Sequence, residues 1–356
     1  MDRKRQGKHT FLFRCPPVIR EAAGIAGEKE GKGPLGHCFD AVASDPMLGM
    51  KSWEEAESAL MYRAASLALH KAGLRPEEVD ALFAGDLLGQ SIATSFGLMD
   101  LKIPLFGLYG ACSTMGESLM LAAMMIDGGF ARRTMAVTSS HFASAEKQFR
   151  FPLGYGNQRA LSSTWTVTGS GAVILEASEE KTASDRPDER TVRVTGATPG
   201  IIEDYGIKDS QNMGACMAPA AAHVIGSNLR DLDVSPAYYD RIVTGDLGSV
   251  GQRLLYELME DRGYDIRLQH MDCGVLIYDS EAQDTHAGGS GCGCSAVTLC
   301  CYLLEKLKTG EWQRILFVPT GALLSKVSFN EGASIPGIAH GVILESGFFA
   351  GKGAEK

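Results

Sequence analysis

Cys112 stands between small residues in GLYGACSTMGESLMLAAMMIDGG, residues 107–129. Gly110 and Ala111 let the backbone turn tightly ahead of it. Ser113 and Thr114 are of the type that caps a helix, and the apolar run behind them predicts a helix to about Asp127. A thiol at a helix N-terminus faces the positive end of the macrodipole and unpaired N–H groups, which lower its pKa and make it a nucleophile. Cysteine is also among the most buried residue types, and taken alone Cys112 reads as core. A second loop of the same construction, THAGGSGCGCSAVTLCCYLLEKL at 285–307, places His286, Cys292 and Cys294 ahead of another apolar helix. Cys300 and Cys301 read as a buried face of that helix.

The nine cysteines form no disulfide framework: their number is odd and their spacing irregular. Cys292 and Cys294 make a C-x-C, whereas zinc pairs have roughly two to four intervening residues and a second pair elsewhere. No metal site is expected, and no EF-hand spacing is present.

The elements that position these loops come in two copies. LRPEEVDALFAGDL (74–87) resembles VSPAYYDRIVTGDL (234–247), with Pro76 matching Pro236, Asp80 matching Asp240, and Gly85-Asp86-Leu87 matching Gly245-Asp246-Leu247 at one constant spacing. GGFARRTMAVTSS (128–140) resembles TGEWQRILFVPTG (309–321) through Gly129 and Gly310, Arg133 and Arg314, and Val137 and Val318. GAVILE (171–176) matches HGVILE (340–345). Three collinear matches at slightly different spacings indicate duplication with loop insertions. Helical stretches such as WEEAESALMYRAASLALHKAGL alternate with short apolar runs bounded by glycine, the pattern of an α/β fold with buried sheets. The halves are expected at 11–178 and 190–346, with the polar EEKTASDRPDER (179–190) as an exposed connection. Paired face to face, the two loops meet, and His286, Cys292 and Cys294 approach Cys112.

A formal charge of −9 argues against nucleic acid and against polybasic membrane attachment. No run approaches the roughly 20 apolar residues of a membrane span, and FLF in the basic start is too short for a signal-peptide core. A cytosol-like compartment is the expectation.

With its doubled architecture, a cysteine at a helix start after the third strand, TGSGAVILE, and a Gly-rich loop bearing a histidine, the chain resembles the thiolase superfamily, which includes the ketoacyl synthases. The resemblance implies two duplicated halves packed as a five-layer αβαβα unit, and a homodimer. Longer stretches resemble one branch of it, the stage V sporulation protein AD family: KSWEEAESAL, SFGLMDLKIPLFGLYGACSTMGESL, FRFPLGYGNQR, TWTVTGSGAVILE, YGIKDSQNMGACMAPAAA and HAGGSGCGCSA.

That likeness implies a subunit of the spore inner-membrane assembly, peripheral on the membrane or cytoplasmic in the forespore. It would bind dipicolinic acid and support its uptake into the developing spore, alongside other subunits of the assembly. Condensing relatives add an Asn or His after a second-half strand, and a His or Asn in the later loop, to shuttle a proton and stabilise an oxyanion. His286 fits the later position, but the earlier one falls at Gly245 or Asp246. An ionised carboxylate there cannot donate to an oxyanion and raises the thiol pKa, so the catalytic set reads as incomplete; the match of Asp246 to Asp86 equally allows a residue that bonds backbone at a turn.

The expected ligand-binding residues are Cys112, Asp246, His286, Cys292, Cys294, Arg159 and Lys208. Arg150 is a further source of charge, and Tyr155 or Trp165 could stack on a pyridine ring. No cofactor is expected beyond calcium carried in as the neutral chelate of dipicolinate. The alternatives are an acyltransferase or ketoacyl synthase using Cys112 and His286, and a scaffold with a vestigial pocket.

Overall fold

The computed structural model describes residues 4–149, 154, 158–178 and 190–348. Ten strands make the frame. In the first half they are β1 (Val18–Gly27), β2 (Ala81–Gly85), β3 (Leu105–Gly107), β4 (Arg133–Ser140) and β5 (Gly169–Glu176). In the second they are β6 (Thr191–Pro199), β7 (Arg241–Thr244), β8 (His270–Asp272), β9 (Arg314–Val318) and β10 (Gly337–Gly347).

The spatial order is β3-β2-β4-β5-β1 in one half and β8-β7-β9-β10-β6 in the other, and β1 and β6 join the two into one sheet at the Arg193–Val18 pairing. Directions repeat as well. β2 runs parallel to β3 and β4, as β7 does to β8 and β9, while the remaining pairs are antiparallel.

The sequence repeat has a physical counterpart in this frame. The Oδ2 of Asp80 accepts the backbone amides of Arg132 and Arg133 at 2.7 and 2.9 Å, and the Oδ2 of Asp240 accepts those of Gln313 and Arg314 at the same two distances. Register sets Arg133 opposite Glu176 and Arg314 opposite Glu345. Each pair is an ion pair, with Nε to carboxylate distances of 2.7 and 2.5 Å.

Alternation along the strands then builds the layers. On β5, Ala172 and Ile174 face an outer helix, α1 (Trp53–Ala72), while Val173 and Leu175 face inward. On β9, Leu316 and Val318 face the helix α3 (Met213–Leu232), while Ile315 and Phe317 face inward. Between the two sheets lie α2 (Thr114–Asp127) and α4 (Cys292–Thr298), whose helix continues through a π-turn at Leu299–Leu303 into Leu304–Lys308. The order is helix, sheet, helix, sheet, helix. Cys300 is buried on that central helix, as its apolar pattern predicts, and Cys301 is partly covered.

Helix α1 starts where its sequence dictates. Ser52 accepts from the Glu55 amide, Glu55 returns the bond, and Gly73 closes the far end at φ +66°. Residues 179–189, which carry the expected connection between the halves, lie outside the described residues.

Candidate functional site

Cys112 lies in a single tight turn, Ala111–Ser113, immediately before α2, and is 8% exposed. Ala111 holds φ at +50°, a region that costs an L-residue strain, so the surrounding contacts must over-determine the turn. They come from the two hydroxyls expected to cap the helix. Instead of capping it, Ser113 donates to the Gly110 carbonyl at 2.7 Å and Thr114 to the Ala111 carbonyl at 2.6 Å. The correction has a simple cause: Ser113 is itself helical at φ −78°, so its side chain cannot reach forward to the next amides.

Asp246 arrives from the other half. It follows β7, fully buried, and its Oδ1 accepts the Thr320 hydroxyl at 2.8 Å while Oδ2 accepts the Gly291 amide at 2.9 Å. The charge of the same carboxylate reaches the Cys112 thiol. Gly291 sits at the start of α4 with φ +101°, and a Cβ there would meet the Ser140 hydroxyl oxygen at 2.6 Å. Only glycine brings this amide to the pair without displacing Ser140. Asp272 holds the intervening loop from behind, accepting the amides of Leu247 and Gly248.

The electrostatics follow from burial. It raises the Cys112 thiol well above its ordinary range, and the charges of Asp246 and Cys292 push the same way, with the Gly291 amide opposing. Burial also raises Asp246 to about 7, against the restraining bonds from Gly291 and Thr320. At neutral pH the thiol therefore keeps its proton and the carboxyl is near half-ionised. The helix dipole expected to activate Cys112 loses to desolvation.

A cavity opens onto Cys112. Leu87, Tyr109, Phe149, Met213 and Leu324 give it apolar walls; Glu146, Thr164, Thr166, Gln211 and Ser290 give it polar ones. Glu146 accepts the Thr166 hydroxyl at 2.7 Å. Sequence reasoning did not find Thr320, Gly291 or Glu146. Only Gly291 left a trace, as part of the Gly-rich loop. Thr320 and Glu146 sit in an ordinary strand and helix that the fold alone brings inward. Among the described residues, no three His, Cys, Asp or Glu side chains converge to hold a metal.

The other expected residues divide. Cys292 packs with Cys112, Leu87 and Ala145, and its thiol donates to the Ser139 carbonyl at 2.9 Å. Cys294, two residues further along the helix, packs in the central core and reaches the Gly245 carbonyl at 3.5 Å.

His286, like Asp246 and Cys292, is not among the lining residues. Its Nδ1 lies 2.9 Å from the Ala160 carbonyl oxygen and its Nε2 3.1 Å from Asp284 Oδ1, so both ring nitrogens are engaged. Arg159 binds Asp284 outside the cavity, and Lys208 is exposed, two residues from the lining residue Ser210. Trp165 stacks on Phe142 instead of lining the cavity. Arg150 and Tyr155 lie outside the described residues.

Cys112 thus meets a buried carboxylate brought from the other half of the chain. Residues 7–345 match the Stage V sporulation protein AD family. The chain belongs to that family. It is 43% identical over 342 residues to Stage V sporulation protein AD of Bacillus subtilis (strain 168), covering 96% of this chain and 98% of that one.

Solved structures show the same fold at low identity. The 3-oxoacyl-[acyl-carrier-protein] synthase III of Aquifex aeolicus VF5 superposes with a TM-score of 0.54 at 15% identity, over 92% of this chain and 99% of that one. The tetronic acid condensing enzyme AbyA1 gives 0.57 at 19%, over 92% and 99%. The family member described here is a sporulation protein on a thiolase-like α/β frame. None of its described helices is long and apolar enough to cross a membrane.

Proposed function

We propose that the Cys112 cavity binds dipicolinic acid, or its calcium chelate, and that the protein supports uptake of this ligand into the developing spore. The observation that carries the reading is the Cys112–Asp246 pair: a thiol kept protonated by burial, beside a buried carboxyl raised to about 7, is a wall and not a nucleophile. Flat apolar sides from Leu87, Phe149 and Met213 suit a pyridine ring, and Thr164, Gln211 and Ser290 offer hydrogen bonds to its carboxylates. The neutral 1:1 calcium chelate avoids repulsion from Asp246, so calcium enters with the ligand and no resident metal is required.

The same reading makes the protein a peripheral subunit of a forespore inner-membrane assembly, held there by partner subunits. A homodimer fits its surface. β3 is an edge strand whose Leu105 and Phe106 are 43% and 46% exposed, next to Tyr109 at 48%, and an exposed apolar edge of this kind is covered in a stable protein. Sedimentation of Phe106→Asp should then give a monomer where the wild type gives a dimer.

Calorimetric titration with dipicolinate, its calcium chelate and an acyl-CoA tests the function. Saturable binding of dipicolinate or its chelate, without an acyl adduct on Cys112, is expected. An adduct with turnover would establish an acyltransferase instead, and no binding of any of the three would leave a scaffold with a vestigial pocket.

A further inference from the structure

The segment 158–166 has two sides. Ser163, Thr164 and Thr166 line the Cys112 cavity. Trp165, between them, is not in that lining and stacks on Phe142, with ring centroids 3.9 Å apart and planes at 10°. Two cations share the Trp165 ring: Lys29 Nζ lies 4.3 Å from its centroid and the Arg159 guanidinium carbon 4.9 Å.

The Arg159 side chain is 1% exposed, and the carboxylate it meets, Asp284, is 75% exposed. One nitrogen, Nη2, makes all its bonds, to the Asp284 carbonyl at 2.7 Å and Oδ2 at 3.0 Å. Nε and Nη1 are buried with no hydrogen-bond partner. Lys29 donates to the Gln283 carbonyl at 2.6 Å, which leaves its other ammonium hydrogens for a further acceptor. Burial lowers the Lys29 pKa and Arg159 adds to the shift, with the charges of Glu30 and Asp284 opposing it. Glu30 turns one carboxyl oxygen to the Tyr278 hydroxyl and the Thr168 amide, and burial raises its pKa.

A guanidinium keeps its charge at any physiological pH, and its buried N–H groups are normally all paired. Two cations share one ring, and with Asp284 bound only by Nη2 two buried guanidinium donors are left for one more acceptor. We propose that Arg159 and Lys29 hold an oxyanion, a phosphate or a carboxylate group, on the side of the 158–166 segment turned away from the Cys112 cavity. Charge-assisted bonds from Nε, Nη1 and the Lys29 ammonium would supply its contacts. This site is independent of whatever fills the cavity.

Thermal unfolding at constant ionic strength reads it, with sodium phosphate or sodium acetate replacing sodium chloride. Emission from Trp165, isolated by comparison with Trp165→Phe, gives a second signal local to the site. The wild type should rise by about 2 °C at a tenfold excess over the dissociation constant. Arg159→Gln and Lys29→Gln should each abolish the rise, and Lys8→Gln, on an exposed turn, should retain it. A rise with phosphate alone identifies a phosphate group as the occupant, and a rise with acetate alone a carboxylate. No rise and no emission change with either anion would overturn the proposal. So would a rise that survives in both Arg159→Gln and Lys29→Gln; should one of these fail to fold, the other and the Trp165 signal decide.

Discussion

The Oδ2 of Asp246 lies 2.9 Å from the amide nitrogen of Gly291, tying the end of β7 to the start of α4 at the point where both face Cys112. Its counterpart in the first half does different work. Asp86 turns back into its own half, where its carboxylate accepts the amides of Leu88 and Thr94. Duplication supplied two equivalent aspartates; one stayed local and the other became the partner of the thiol.

That partnership sets a pH dependence. In the folded protein Asp246 titrates at about 7, above the 3.8 of an unperturbed aspartate, so the folded protein binds this proton more tightly than the unfolded chain. The resulting stability is complete below about pH 4 and is lost as pH rises toward about 7. Relative to Asp246→Asn, the wild type should lose roughly 4 kcal/mol across that window, since each pH unit within it removes about 1.4 kcal/mol. Urea unfolding of both proteins at acid, intermediate and slightly alkaline pH checks it; a constant difference across the three would contradict the assignment.

Gly291→Ala should be costly despite adding one methyl. The new Cβ would crowd the Ser140 hydroxyl while the backbone holds φ at +101°. A loss of roughly 1–3 kcal/mol is expected from the strain alone, together with a weaker grip on Asp246. Denaturant titration measures the first, and iodoacetamide labelling of Cys112 the second, since a loosened Asp246 frees the thiol.

Cys112 itself should tolerate a small change and reject a large one. Cys112→Ser should keep dipicolinate binding within about tenfold, or roughly 1.4 kcal/mol, because one small polarizable contact is exchanged. Cys112→Trp should abolish binding by filling the cavity. Alkylation of the wild type should be slow, and incubation with acyl-CoA should leave no hydrolysable adduct by mass spectrometry.

The two halves should fail separately and additively. Asp80→Ala and Asp240→Ala each remove the acceptor for two backbone amides at equivalent strand starts. Each should cost about 1–2 kcal/mol, and the double variant the sum, because distant sites without shared partners do not couple. A strongly non-additive double variant in equilibrium unfolding would mean that the two positions communicate through the joined sheet.

Much of this protein was legible in one dimension. Pro76 and Pro236, Asp80 and Asp240, and Arg133 and Arg314 announced a duplication because each pair repeats one task within its own half, starting a turn or holding the amides beside a strand. Contacts closed within one half are copied together with it and leave a pattern in sequence. The Gly-rich loops around Cys112 and Gly291 showed where two tight turns precede helices.

Tertiary structure decided the chemistry. His286 and Cys292 belong to one short loop, yet His286, left-handed at φ +53°, commits both ring nitrogens to Ala160 and Asp284, while Cys292 packs on Cys112. Cys292 and Cys294 share a motif but diverge into site and core, because nearby helical positions face different neighbours. The protonation of Cys112 rested on two opposed effects, a helix dipole that lowers a thiol pKa and a burial that raises it. Burial is set by what other segments lay over the turn. Thr320 and Asp246 reach that turn from a different half of the chain, a convergence no local pattern records.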